Sequence, residues 1–273
     1  MDPAILRQAA DLAERGVACA LAVVVEATGS VPGKAGATML VTVDGTSRGT
    51  VGGAGLEERV KALCREALRR GAGGVHSFDL ANWKPAGLDS VCGGTVTVSI
   101  SVVRPVPHLL LVGGGHCTLA LAQVCDVLGW GYTVVDSRPE YVSTERFPRA
   151  RARRRAAPAD AIREAEDLTL YSHAYLLGHS HHEDGEALVA LLERGFPGVV
   201  GAIGSRAKMR AFRERAAARG LSADRVRCPI GVDVGAQTPA EIAVAVAAEV
   251  VRDIHKETVH ERQATADPAR ERR

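Results

Sequence analysis

Glycine clusters that close apolar runs carry the recognisable chemistry of this chain. Gly113-Gly114-Gly115 ends the apolar run Leu109 to Val112, and Asp136 closes a second run, Tyr132 to Val135. Glycines at a strand-to-helix turn let main-chain N–H groups approach a pyrophosphate, and an acid roughly 20 residues on, at the next strand tip, holds a ribose 2′-OH. Gly113, Gly115 and Asp136 are therefore candidate nucleotide-binding residues. Thr118 stands where the third glycine of the G-x-G-x-x-G pattern would be, and Arg138 suits a phosphate as well as Asp136 suits a hydroxyl.

Further loops have a similar character. Residues 29–36 combine glycines with Ser30 and Lys34, and Gly52-Gly53-Ala54-Gly55 opens onto a helical pattern, so the two loops could cradle an anion through backbone N–H groups. Cys92-Gly93-Gly94 places a thiol in a turn with room around the sulfur, a reactive or ligand-facing position. Gly178-His179-Ser180-His181-His182-Glu183-Asp184 follows another apolar run. Its histidines and acids could meet a metal, but Ser180 with acids behind it also reads as an ordinary helix cap, and His179 is the member placed to face a ligand. Ser205 and Lys208 open a later helix, where cations oppose the helix dipole unless an anion is bound.

The elements that must position these residues are legible from periodicity. A helix starts at Asp2-Pro3 and runs to Gly16; strands are expected at Ala18 to Glu26, Ala37 to Val43 and Ser47 to Val51, with a hairpin turn at Asp44-Gly45. A helix over Leu56 to Arg70 and strands over Val75 to Leu80 and Thr95 to Val103 complete an N-terminal α+β domain, residues 1–104. The prolines of Arg104-Pro105-Val106-Pro107 mark the boundary. Beyond it a Rossmann-like domain, residues 108–256, is expected, with a doubly wound parallel sheet. Its strands include Leu109 to Val112, Tyr132 to Val135, Ala174 to Leu177 and Gly198 to Ile203. Phe147 to Arg155 reads as a solvated charged stretch, Asp160 to Asp167 as a short helix, and Pro229 to Ala236 as a strand-like segment. Thr238-Pro239-Ala240-Glu241 is a capping box for a helix reaching Ile254, apolar nearly all round and expected to be buried, partly against another protomer. Residues 257–273 form a charged tail, expected to be disordered.

Composition narrows the function. A net charge of +2 gives no electrostatic case for nucleic acid. No apolar run approaches the roughly 20 residues of a membrane span, and no basic-then-apolar leader opens the chain, so a cytoplasmic protein is expected. The six cysteines lack C-x-x-C spacing, which argues against zinc. No nucleophile–base pair stands out, so no catalytic residue and no metal ligand is assigned.

Taken together the motifs resemble the XdhC/CoxI family, the accessory factors of xanthine dehydrogenase and related molybdenum hydroxylases. The resemblance runs from about Ala18 to Val250 and rests on Gly29-Ser30-Val31-Pro32, Gly49-Thr50-Val51-Gly52-Gly53, Cys92-Gly93-Gly94, the Gly113/Gly115/His116 turn and Val135-Asp136 with Arg138-Pro139. Ile203-Gly204-Ser205 with Lys208, and the long stretch from Pro229 to Glu249, complete it. The resemblance implies a non-catalytic chaperone that binds molybdenum cofactor (molybdopterin). Such a protein protects the sulfido ligand while a cysteine desulfurase installs it and delivers the cofactor to an apo molybdenum hydroxylase. Ser30, Lys34, Gly52, Gly53, Cys92, Gly93, Gly113, Gly115, His116, Asp136, Arg138, His179, Ser205 and Lys208 are then the expected cofactor contacts. Two other classes stay open: an NAD(P)-dependent oxidoreductase using His116 or His179 as acid/base, and a nucleotide-sensing regulatory protein.

Overall fold

A computed structural model describes residues 2–80 and 93–255. The chain divides between Pro105 and Val106 into two compact units.

The N-terminal unit contains α1 (Pro3–Glu14), β1 (Cys19–Thr28), β2 (Thr38–Thr42), β3 (Ser47–Gly49), α2 (Ala54–Arg70), β4 (Gly74–Asp79) and β5 (Thr95–Val103). Asp2 caps α1 by accepting from the Ala4 N–H, and Pro3 fills the first turn, where its missing N–H costs nothing. The strands form one antiparallel sheet in the order β3-β2-β1-β5-β4. Alternation along β1 and β5 sends Ala20, Ala22, Val24, Val96, Val98 and Ile100 to one face. There they meet Leu56, Val60, Cys64 and Ala67 of α2. On the opposite face Cys19 and Leu40 pack on Ile5 and Ala9 of α1. The Asp44-Gly45 hairpin joins β2 to β3, with Asp44 accepting from the Thr46 N–H at 3.0 Å. The second arm is only three residues long, shorter than the expected Ser47 to Val51.

The C-terminal unit runs β6 (His108–Val112), α3 (His116–Leu128), β7 (Gly131–Asp136), β8 (Ala152–Arg155), α4 (Pro158–Arg163), β9 (His173–Leu176), α5 (His181–Glu193), β10 (Val199–Ala202), α6 (Arg206–Ala217) and α7 (Pro239–Ile254). Its sheet is parallel, in the order β10-β9-β6-β7-β8. The order reverses between β6 and β9: the chain winds outward through β7 and β8, then returns to the other side of β6. Both faces are covered. Leu110, Val112, Ala174, Leu176, Val200 and Ala202 pack under α4, α5 and α6, while Leu109, Leu111, Val134 and Tyr175 pack under α3 and α7. Strands buried on both faces are predominantly apolar, which explains the runs in the sequence, and the buried polar pair His108 and Thr133 satisfy each other at 3.0 Å.

Several expectations are corrected. The arginine-rich stretch ends in a strand, β8, that the sequence pattern does not mark, and Arg154 and Arg155 on it are exposed. As the sheet edge it tolerates charge, and Arg153 turns back to donate to the carbonyls of Phe147 and Ala150 at 2.7 and 3.2 Å. The short helix lies earlier than Asp160 to Asp167, because Pro158 starts it. The segment 229–236 is no strand. Pro229 lacks a donor, and Gly231 and Gly235 take left-handed conformations that break a ladder. Helix α7 is not apolar-buried all round: Ala243, Val246 and Val250 face the core, but Val244 is 61% exposed. Among the described residues no helix is long and apolar enough to cross a membrane. Cys92 and the 257–273 tail lie outside the described residues.

Candidate functional site

Within the N-terminal unit the glycine loops interlock. Gly52 has φ +126°, and any Cβ there would run into the Gly33 backbone; a Cβ on Gly33 would run into the Val51 carbonyl. Gly29 meets the third turn the same way: its Cβ would lie 3.0 Å from Gly94 Cα, and one on Gly94 would strike the Thr28 carbonyl. Loop 29–36 is thus gripped between the turn that opens α2 and the Gly93-Gly94 turn that opens β5. The contacts are backbone on backbone, which only glycine permits. Thr50 anchors the middle turn by accepting from the Gly52 N–H at 3.1 Å and bonding Glu57 in the first turn of α2. Gly53, the residue preceding α2, supplies no side-chain cap. Ser30, Lys34, Gly53 and Gly93 are exposed, whereas Gly33 and Gly52 are buried. The arrangement therefore offers a hydroxyl, a cation and main chain on the surface of a closely knit base.

Strand-to-helix turns in the C-terminal unit meet where strand order reverses, the place at which open α/β sheets hold ligands. Gly113, with φ +94°, lies against the β9 turn: a Cβ would fall 2.6 Å from Gly178 Cα. Gly115, which precedes α3, has nothing within 4 Å of the position its Cβ would take, so main chain is accessible there. His116 and His179 are both exposed at these turns. Thr118 is fully buried, its hydroxyl donating to the Gly113 carbonyl, so it closes the turn that a third glycine would otherwise pack.

Asp136 and Arg138 are engaged with one another. Asp136 Oδ1 accepts from the Arg138 N–H at 3.0 Å and from Arg138 Nε at 2.9 Å. Its Oδ2 accepts from Gly114 N–H at 2.8 Å and Arg138 Nη2 at 2.9 Å. Burial alone would raise the Asp136 carboxyl, but the bonds from Arg138 and Gly114 outweigh it and hold the group below its ordinary value. The expected reader of a ribose hydroxyl is therefore already saturated.

Lys208 also departs from expectation. Instead of facing an anion at the start of α6, its Nζ lies 2.7 Å from Asp184 Oδ2 and 2.9 Å from the Ile203 carbonyl, out of water. Ser205 caps α6 by accepting from the Lys208 N–H, a structural duty. Asp184 is the inward member of the histidine-rich cluster, and its Oδ1 also accepts from Gly178 N–H at 3.1 Å. His179, His181 and His182 point outward, and among the described residues no three metal-binding side chains converge. Residues that sequence reasoning missed include Tyr141, whose ring lies 3.6 Å beneath the Arg138 guanidinium, and Arg146, whose Nε donates to Gly114 O at 2.8 Å. Neither sits within a motif, so no local pattern marks them.

A parallel five-stranded sheet with glycine turns at its reversal point, following an antiparallel α+β unit in the sequence, defines a two-part protein with a Rossmann-like C-terminal domain. Residues 109–250 match the XdhC Rossmann domain and residues 12–79 match the XdhC and CoxI family, and the chain belongs to that family. It is 33% identical over 251 residues to "Uncharacterized protein YqeB" of Escherichia coli (strain K12), covering 91% of this chain and 46% of that one. It is 26% identical over 159 residues to a probable xanthine dehydrogenase subunit of Bacillus subtilis (strain 168), covering 58% and 46%. The chain thus spans about half the length of the curated relatives it matches. A crystal structure described as a xanthine dehydrogenase from Bacillus halodurans superposes with a TM-score of 0.52 at 19% identity, covering 92% of this chain and 96% of that one; it shares the fold.

Proposed function

We propose that this protein is a molybdenum cofactor carrier that holds the pyranopterin through its phosphate and delivers it to an apo-hydroxylase of the xanthine dehydrogenase type. The observation that carries the reading is the interlock of Gly29, Gly33, Gly52 and Gly94, which locks three loops into one surface. Exposed main chain at Gly53 and Gly93, the Ser30 hydroxyl and the Lys34 ammonium are the groups that would meet a phosphate. Those donors fit an anionic group presented at the surface, and the cofactor would bring its own metal and dithiolene chemistry. A cysteine desulfurase would act while the cofactor is held, and a relative named for xanthine dehydrogenase supports that class of recipient. Bound cofactor is measured as the fluorescent oxidised pterin released when protein made in a cofactor-producing host is denatured. Near-stoichiometric pterin, reduced severalfold in Lys34→Ala, is expected; pterin-free protein that also fails to bind added cofactor overturns the proposal.

A further inference from the structure

We propose that the C-terminal unit carries a second, independent ligand site that selects a nucleotide bearing a ribose 2′-phosphate over its 2′-hydroxyl counterpart, with Arg138 as the specificity-determining residue. A carboxylate at this strand tip ordinarily accepts from the ribose diol, and a neighbouring arginine accommodates a phosphate instead. A carboxylate has about four acceptor directions, and those of Asp136 are met by Gly114 N–H, Arg138 N–H, Nε and Nη2. Asp136 is 3% exposed, so a diol could reach it only by breaking a buried bidentate ion pair.

What the site presents in its place is the guanidinium. Arg138 is fixed on one edge by Asp136 and on one face by the Tyr141 ring at 3.6 Å. Its side chain remains 28% exposed. Of the five guanidinium N–H donors, those on Nη1 and the second on Nη2 lie beyond the Asp136 contact. Arg155, exposed and in register with Asp136 on the adjacent strand, adds a second cation at the same sheet edge. Two carboxylates oppose them: Glu140 acts on Arg138, and Glu183 lies 3.5 Å from the Ser137 hydroxyl. Arg138 is held rigidly, so the ordering cost of gripping a phosphate is already met. The open main chain at Gly115 leaves room for the 5′-phosphate of the same ligand.

The inference concerns the C-terminal unit alone and stands whether or not the N-terminal loops hold a pterin. The test is isothermal titration of the full chain with adenosine 2′,5′-bisphosphate, 5′-AMP, NADP+ and NAD+. One charge-assisted guanidinium–phosphate contact predicts at least about tenfold tighter binding for each 2′-phosphorylated member of the two pairs. In Arg138→Gln, which gives Asp136 back the acceptor directions that Nε and Nη2 fill, the preference of the wild type should vanish or invert toward 5′-AMP and NAD+. NADP+ binding more tightly than the bisphosphate would identify a dinucleotide as the ligand, and equal affinities a mononucleotide; either supports the 2′-phosphate preference. In wild type, equal binding within each pair, preference for NAD+ or 5′-AMP, or binding of none of the four overturns it.

Discussion

Lys208 Nζ and Asp184 Oδ2 lie 2.7 Å apart, with side chains only 6% and 1% exposed, and together they tie α5 and α6 to the turns that follow β9 and β10. Burial raises the Asp184 carboxyl above its ordinary value despite the ammonium beside it. Replacing Lys208 by methionine strands that carboxylate, and loss of one partner from a buried pair costs about 3–5 kcal/mol. Urea unfolding of Lys208→Met at pH 7.5 should show a loss of that order. The deficit should shrink as pH falls, because the unpaired acid takes up a proton. In Asp184→Leu/Lys208→Met most of the loss should be recovered. An unchanged midpoint in the single variant would mean that the pair is solvated in solution.

Gly52 and Gly53 both have φ between 120° and 130°, but only Gly52 abuts another backbone; the nearest atom to a Cβ on Gly53 is Pro32 Cγ at 3.7 Å. Alanine at either position strains the backbone, at roughly 1–3 kcal/mol. Gly52→Ala must in addition push loop 29–36 away, so it should melt at lower temperature than Gly53→Ala and carry less pterin. Comparable melting temperatures and pterin contents would show that the loop contact contributes nothing.

Much of this architecture is legible in the residues. Val112-to-Gly113 and Val135-to-Asp136 transitions mark strand tips because a doubly buried strand is mostly apolar until its end. The capping residues Asp2, Ser180, Ser205 and Thr238 mark helix starts because their side chains satisfy free N–H groups. What is not legible depends on partners distant in sequence or on position in the sheet. The spacing of Asp136 and Arg138 gives no sign that they consume each other. Asp184 and Lys208 each have a local explanation, and only the fold brings them together. The strand at 152–155 is hidden because edge position, rather than hydrophobic alternation, lets its arginines stand. Likewise, the run Pro229 to Ala236 is apolar because it lines a cavity with Ile203, Ile242 and Ala245, not because it joins the sheet.

His108 is buried at the start of β6, with Nε2 3.0 Å from the Thr133 hydroxyl and the ring edge-on to Tyr171. Burial, with a smaller contribution from the Arg151 charge, lowers its pKa from 6.5 to about 4. The unfolded chain therefore binds more protons than the folded one between these values, so stability falls as pH drops from about 6.5 toward about 4. The full swing for one such group is about 3 kcal/mol. In His108→Gln, which keeps a polar contact for Thr133 but cannot titrate, the stability difference between pH 7.5 and pH 5 should be smaller than in wild type. Parallel pH profiles for the two proteins would assign the slope to other groups.

Thr238 begins α7 with a complete capping box: its hydroxyl accepts from Glu241 N–H at 3.3 Å, and Glu241 Oε2 accepts from Thr238 N–H at 2.9 Å. Bonds from the Thr238 and Gln237 N–H groups lower the Glu241 carboxyl below its ordinary value. A carboxylate with a depressed folded pKa stabilises above its unfolded value and loses that contribution as pH falls through the folded one. Thr238→Ala removes one half of the box and should cost about 1 kcal/mol at neutral pH. Because α7 packs Ala243, Val246 and Val250 against the face that α3 shares, the loss should appear in global unfolding of the C-terminal unit. Thr238→Ser, which keeps the acceptor, should unfold close to wild type. If Ser and Ala variants unfold alike, the threonine matters for its methyl group and the cap carries no weight.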